Sequence, residues 1–424
     1  MNRRDFLRWA GLAGVALMSP LGRGSARAAP RYDGPYFLLV HASGGWDPTY
    51  LCDPKGGAIN RLYAEGQYGT AGNLKYAPID YKDAQGNVIY SNQQFFTKYQ
   101  DRLLVINGVD TATANHDTGT RVMWSGRVSE GYPTFAAVVA AARVPGNPLG
   151  FISSGGYETT AGLVPLTRLG NVDAVRRVAY PNRLDPNRAD YTVHSDAIWA
   201  RIQQAQRERL MRSAGMQTLP VLARAQSQLF VSRAEDDSLS QLASLLPTQS
   251  QVNAIPNPLY RQAVVALAGF QAGVAVAANL SVGGFDTHGN HDTTHLPRLS
   301  DLLIGVDLIM DEIANRGLDG KVVVVVGSDF GRTPRYNAQN GKDHWNITSM
   351  MMMGPGIPGG RVIGGTDDEF RALNVNSRTL APDVNGVRIG CAEVQRALRK
   401  LAGIDTSAPA ASYPVGGADL PLFA

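Results

Sequence analysis

Cysteine is nearly absent: Cys52 and Cys391 are the only two in 424 residues. Two distant thiols carry no signal of the multi-bridge framework that staples small secreted domains, although the pair itself could form one bond. An excess of one charge is missing as well. Forty Lys and Arg against 36 Asp and Glu give a net +4. Arg3, Arg4, Arg8, Arg23 and Arg27 against Asp5 account for all of it. Residues 29–424 are therefore formally neutral, and charge gives no argument for a nucleic-acid partner. Long leucine-rich runs are also lacking. Ala263 to Leu280 comes nearest, but it is rich in Ala and Gly and carries Gln271 and Asn279. It suits a buried helix running into a buried strand better than a stable membrane span. No internal repeat is present, and the length suffices for one large core or two domains.

What is present begins at the N-terminus. Asn2-Arg3-Arg4-Asp5-Phe6-Leu7-Arg8 sets paired arginines ahead of an apolar stretch from Trp9 to Leu21, diluted by Gly11 and Gly14. That stretch falls short of the roughly 20 residues a permanent span requires. Ser25-Ala26-Arg27-Ala28 follows, with small residues where a signal peptidase reads, so cleavage is expected before Ala29. Residues 1–28 thus read as a twin-arginine signal peptide. That reading implies the Tat translocase as a partner during export, and a periplasmic or extracellular location for residues 29–424. No cysteine at the cleavage point supports a lipid anchor.

Four apolar runs punctuate the rest. Tyr36–Val40 ends at Gly44-Gly45-Trp46-Asp47, and Leu103–Ile106 ends at Asn107-Gly108. Val274–Val282 ends at Gly283-Gly284, and the five valines of Val322–Val326 end at Gly327. Unbroken β-branched runs suit strands covered on both faces, as in a parallel sheet. Leu296–Ala314 keeps three-to-four spacing through Leu299, Leu302, Leu303, Val306 and Ile309, which predicts a helix. The alternation argues α/β. About 186–250 reads as a helical insertion or cap, and Tyr50–Tyr99 as long loops with short helices.

In such a sheet the chemistry gathers just past the carboxyl ends of the strands. Asp47 follows the first run, Asn115-His116-Asp117 the second, Asp286-Thr287-His288 the third, and Asp329 the fourth, with Asp343-His344 close behind. Five of the seven histidines (116, 288, 291, 295 and 344) fall in these segments. Carboxylate oxygens and neutral imidazoles are what a divalent metal site requires. The same residue types also cap helices and form loops. His291 and His295, four apart at a helix start, fit a solvated face as well as a ligand pair. Asp329-Phe330-Gly331 matches a kinase triplet, but no glycine-rich phosphate loop or catalytic-loop motif accompanies it. Arg332 offers a fork for an anionic oxygen.

Taken in order, the leader and these segments carry a resemblance. Gly44-Gly45-Trp46-Asp47, Asn115-His116-Asp117 and Phe285-Asp286-Thr287-His288-Gly289-Asn290 come first, then Ser328-Asp329-Phe330-Gly331-Arg332-Thr333 and Lys342-Asp343-His344. Together they resemble an exported bacterial family known as domain of unknown function 1501, over nearly all of the chain past the leader. That family is similar to the alkaline phosphatase and sulfatase superfamily. The resemblance implies an alkaline phosphatase-like α/β fold with a central, mostly parallel sheet flanked by helices. It also implies one or two divalent ions (Zn, Mn, Mg or Ca). Asp47 would match the first-strand metal aspartate, and Asp286, His288 and His344 the ligands of one ion. Asp329 stands where the superfamily shows Asp followed by His, but Phe330 follows here and cannot ligate. Where the superfamily places a Ser, Thr or modified Cys nucleophile, this chain has Asn115. Thr111, Thr113 and Thr118 are the hydroxyls nearby, and His116 and Arg332 complete the catalytic candidates.

Two functions fit this sequence. One is an exported metal-dependent hydrolase of a small anionic ester, phosphate or sulfate, with a carbohydrate as a further possible substrate class. The other keeps the fold without the catalysis, as a binding or assembly protein.

Overall fold

The four apolar runs enter one sheet because each is buried on both faces. The computed structural model describes residues 32–145, 147, 149–216 and 236–424. The signal-peptide reading, residues 1–28, lies outside the described residues, as does 217–235 within the predicted helical insertion. The central sheet has seven strands: β1 (Tyr36–Ala42), β2 (Leu104–Asp110), β3 (Phe151–Ser153), β4 (Ala277–Val282), β5 (Val322–Ser328), β6 (Ile347–Met353) and β7 (Arg361–Gly364). Their spatial order is β7-β2-β6-β5-β1-β4-β3. Every neighbouring pair is parallel except those of β6, which runs antiparallel to β2 and β5. The chain therefore has the expected α/β fold with a mostly parallel central sheet flanked by helices.

Side chains alternate between two apolar layers. Leu38, Val40, Val324 and Val326 pack with Leu267, Phe270, Leu299 and Leu303, from the helices Pro258–Gln271 and His291–Asn315. Phe37, Leu39, Val323 and Val325 pack on the other side with Met123, Phe135, Val394 and Leu398. Those four come from the helices His116–Ser125, Phe135–Arg143 and Cys391–Leu401. The helical middle contains Val172–Ala179, Asp196–Met216 and Asp236–Leu245 among the described residues, and it adds no strand to the sheet.

Two expectations change. Tyr50–Tyr99 is more ordered than a set of loops: it folds into two hairpins, Gly69–Ala71 with Leu74–Tyr76 and Asp80–Lys82 with Val88–Ser91, followed by the helix Asn92–Tyr99. Five of the segment's tyrosines, Tyr50, Tyr63, Tyr76, Tyr81 and Tyr99, are core residues, and Tyr76 stacks on Phe96 at 5.3 Å. The second apolar run also continues through Asn107-Gly108, where Gly108 takes a φ of 72°. The β2–β6 register slips opposite that point, between Thr348 and Ser349, as at a bulge.

Cys52 and Cys391 are free, buried, and belong to the two opposite layers of the sheet. Burial pushes the Cys52 thiol up to about 12 and raises Cys391 as well. Neither thiol is expected to react with a thiol reagent at pH 8 in the native protein, and both should react after denaturation. Because folding keeps both thiols protonated, their contribution to stability is full below the ordinary value of 9.0. It is lost as pH climbs from there toward the folded value. A native thiol count above zero at pH 8 would contradict this placement.

Candidate metal centre

The register of the sheet decides which loops meet. Ala42 at the end of β1 pairs with Val282 of β4 and Ser328 of β5, so three strands end side by side. The segments beyond them, 43–47, 283–288 and 329–332, emerge together at the carboxyl edge. Gly44 takes a φ of 117°, and a Cβ there would lie 2.5 Å from the Asp286 backbone nitrogen. Only glycine permits that approach.

Asp329, buried at the tip of β5, is enclosed by donors. The Gly44 N–H donates to both its oxygens at 3.1 Å. His116 Nδ1 lies 2.6 Å from Oδ2 and His41 Nε2 3.2 Å from Oδ1. The Trp124 indole N–H donates to His41 Nδ1 at 3.0 Å, so the proton of a neutral His41 sits on Nε2 and faces Asp329. Burial alone would raise the Asp329 carboxyl, but the His116 and His41 hydrogen bonds hold it well below the usual carboxylate range. Its bond to Asp329 in turn raises His116. Asp329 thus orients His116, the first residue of its helix, whose N-cap is Asn115 accepting from the Thr118 N–H at 3.1 Å.

Three imidazoles converge from there. His116 is anchored through Nδ1 on Asp329, His288 through Nδ1 on Asp343 Oδ1 at 2.7 Å, and His344 through Nδ1 on the Ala114 carbonyl at 2.7 Å. A carbonyl only accepts. Asp343 is held below its ordinary value, first by the bond from His288, so it accepts too. Each neutral ring therefore carries its proton on Nδ1 and turns an open Nε2 lone pair inward. His288 Nε2 lies 2.9 Å from His344 Nε2. The three Nε2 atoms stand 3.0 Å (His288), 3.3 Å (His344) and 3.5 Å (His116) from Asp286 Oδ1. His116 Nε2 is buried with no hydrogen-bond partner.

Three lone pairs and a carboxylate oxygen facing one point are unfavourable without a positive charge between them. The Arg332 guanidinium meets Asp286 Oδ1 at 2.8 Å but leaves the imidazoles unserved. The separations match the roughly 3.4 Å that donors keep around a tetrahedral ion about 2.1 Å from each. Outer nitrogens bound to carboxylate or carbonyl are the usual setting of metal-ligating histidines. The donor set fits a divalent ion: His116, Asp286 and His344 present ligand atoms all within 4.8 Å of one another, and His288 Nε2 stands beside two of them, 3.0 Å from Asp286 Oδ1 and 2.9 Å from His344 Nε2.

The sequence candidates separate accordingly. Asp286, His288 and His344 come together, and His116, a catalytic candidate from sequence, joins them as a fourth donor. Asp329 stands behind His116. Asp47 is elsewhere: it caps the turn Pro48–Tyr50, and its carboxylate meets Lys342 Nζ at 2.6 Å and His291 Nε2 at 3.2 Å. His291 and His295 are fully buried around it, neither a solvated face nor part of the cluster. Arg332 is fully buried as well, donating to the Gly44, Gly45 and Lys342 carbonyls and to Asp286, which makes it a pin between loops. Thr111 is buried with its hydroxyl on the Thr113 and Asn346 carbonyls, and Thr113 Oγ1 accepts from the Asn115 N–H. Among the described residues no hydroxyl of Thr111, Thr113 or Thr118 bonds to the cluster.

Four residues take roles the sequence reading did not assign them. His41 and Trp124 align Asp329. Asp343 holds His288. Phe330, which cannot ligate, packs its ring 4.8 Å from His116 and 4.5 Å from His344 and braces both. A phenylalanine between two ligand segments was the available signal. Gly119 lets the His116 helix approach the end of β5, since a Cβ there would meet the Asp329 carbonyl at 2.5 Å. Gly119→Ala is expected to displace His116 and weaken ion binding about 10–100-fold, the scale of losing an outer partner. Titration calorimetry would show it; unchanged affinity would mean that this close approach does not set the ligand.

Among solved structures, Ps i-CgsB is 10% identical, with a TM-score of 0.44 over 92% of this chain and 76% of that one. The lipoteichoic acid synthase LtaP from Listeria monocytogenes is 8% identical, with a TM-score of 0.37 over 91% and 76%. An alkaline phosphatase of the Antarctic bacterium TAB5, a mutant with Mg bound, is 10% identical with a TM-score of 0.34 over 76% and 92%. No curated protein matches the chain. The family described as protein of unknown function DUF1501 matches residues 36–386, and the chain belongs to that family.

Proposed function

We propose that this chain is an exported, metal-dependent hydrolase of a phosphate or sulfate ester. The observation that carries the reading is the convergence of three Nδ1-anchored imidazoles on Asp286 Oδ1. A divalent ion held by His116, Asp286, His288 and His344 would polarise an ester oxygen and lower the pKa of a water. Three imidazoles with one carboxylate favour zinc over magnesium or calcium. The chain's own groups do the rest. Asp329, Asp343 and the Ala114 carbonyl fix the rings, Phe330 braces them, and the half-exposed Asp286 and His288 leave the cluster open to a ligand. Beside the short antiparallel ribbon of Gly331–Arg332 with His344–Trp345 lies a cleft of about 780 Å³, lined by Trp345, by Lys55 paired with Asp53 and by Arg371 paired with Glu369, room for a carbohydrate group.

Export rests on residues 1–28, whose paired arginines, apolar stretch and cleavage site agree. Among the described residues no helix is long and apolar enough to cross a membrane.

A second reading, a binding protein with the same ion and no turnover, is favoured by one observation: the Thr111 hydroxyl is committed to two carbonyls and Asn115 to a helix cap. Assay of the zinc-loaded protein on phosphate and sulfate monoesters, with His344→Ala as control, separates the two. Turnover abolished by chelator and by His344→Ala supports hydrolysis. A bound ion without turnover on either ester class supports the binding protein.

A further inference from the structure

Asp47 presents a second acidic centre at the same sheet edge, and it differs from the first in one respect: every lone pair is used. Oδ1 accepts from the Thr49 N–H at 2.9 Å and from its hydroxyl at 2.7 Å. Oδ2 receives the Lys342 ammonium at 2.6 Å, and neither side chain of that pair has any exposure. The two histidines beside it are consumed in a closed ring of hydrogen bonds. The Asp47 N–H donates to His295 Nε2 at 3.0 Å, which puts the proton of His295 on Nδ1, facing Thr287 Oγ1 at 3.0 Å. The Thr287 hydroxyl then donates to His291 Nδ1 at 2.6 Å, and His291 Nε2–H returns to Asp47 Oδ2 at 3.2 Å. No open nitrogen or oxygen remains for a metal. The ammonium is also faced by the rings of Tyr336 at 5.1 Å and Tyr50 at 5.6 Å.

We propose that Lys342 is the built-in cation of the Asp47 centre, so that the chain holds one metal ion, at His116, Asp286, His288 and His344, and none at Asp47. This rests on the metal reading above. A divalent ion near Asp47 would confront a buried ammonium and find no free donor. Lys342 also positions the ligands. Its N–H donates to the Thr287 carbonyl at 3.2 Å, and its carbonyl accepts from Arg332 at 3.0 Å. Inserting its side chain beneath the loop therefore sets down Asp343 and His344, the next two residues, over the first cluster.

Metal content of the mature chain after zinc saturation and desalting tests this by elemental mass spectrometry. One equivalent is expected. Two equivalents overturn the inference and leave the metal reading standing; none overturns the metal reading, and the inference with it. Lys342→Ala frees a lone pair of Asp47 and a space beside it, and is expected to raise the count to two. A folded Lys342→Ala that stays at one contradicts the role given to the ammonium. If that variant does not fold, the neutral pair Asp47→Asn with Lys342→Met decides. It is expected to keep one equivalent, and loss of the ion would place the metal on Asp47.

Discussion

His344→Ala is expected to weaken divalent-ion binding by more than 100-fold, beyond the roughly 10–100-fold that losing an outer partner costs. The variant removes one of three Nε2 donors and also the ring that pairs with His288 at 2.9 Å. Asp329→Asn should fall in the outer-partner range, since it leaves all four donors present but loosens His116. Titration calorimetry with zinc measures both. The effect should appear in stability too, because an ion that binds only the folded chain stabilises it by about 4 kcal/mol at 1,000 times its Kd. Zinc should raise the melting temperature of the wild type much further than that of His344→Ala. Equal zinc affinity in the two proteins would remove His344 from the site.

Arg332→Ala should be the most destabilising substitution near the site, by about 3–5 kcal/mol, since each buried carbonyl left without its donor costs about 1–3 kcal/mol. Arg332 is fully buried. It bridges the Gly44 and Gly45 carbonyls on one loop, the Lys342 carbonyl on another and the Asp286 carboxylate on a third. Truncation strands three buried carbonyl acceptors at once and removes the cation from the half-exposed Asp286 carboxylate. Arg332→Lys should rescue little, because an ammonium cannot reproduce the fork that reaches three loops. Chemical denaturation provides the measurement. A loss under about 1 kcal/mol would show that the loops hold one another without this pin.

How much of this was legible depended on the kind of signal. The valine run of β5 and the apolar run of β1 announced themselves because burial on both faces removes the polar alternation that would otherwise mask them. The hairpins of residues 69–91 were not legible, since their tyrosines looked like loop residues, yet Tyr76 stacks on Phe96 and Tyr81 donates to Asn92 of the helix that follows. At the site, residue types past strand ends pointed to the right edge of the sheet. They could not say which nitrogen of each ring faces inward. His116 differs from His295 by its partner alone: one is anchored through Nδ1 on Asp329, the other has its Nε2 taken by the Asp47 N–H. Asp47 carried the same strand-end signature as Asp286. What separates them is Lys342, almost 300 positions away and brought in by the fold.

The most direct test is a crystal of the zinc-soaked protein measured at the zinc absorption edge. The account predicts one anomalous peak, bonded at about 2.0–2.2 Å to the Nε2 atoms of His116, His288 and His344 and to Asp286 Oδ1. A peak on Asp47, or none within reach of those three imidazoles, would contradict it.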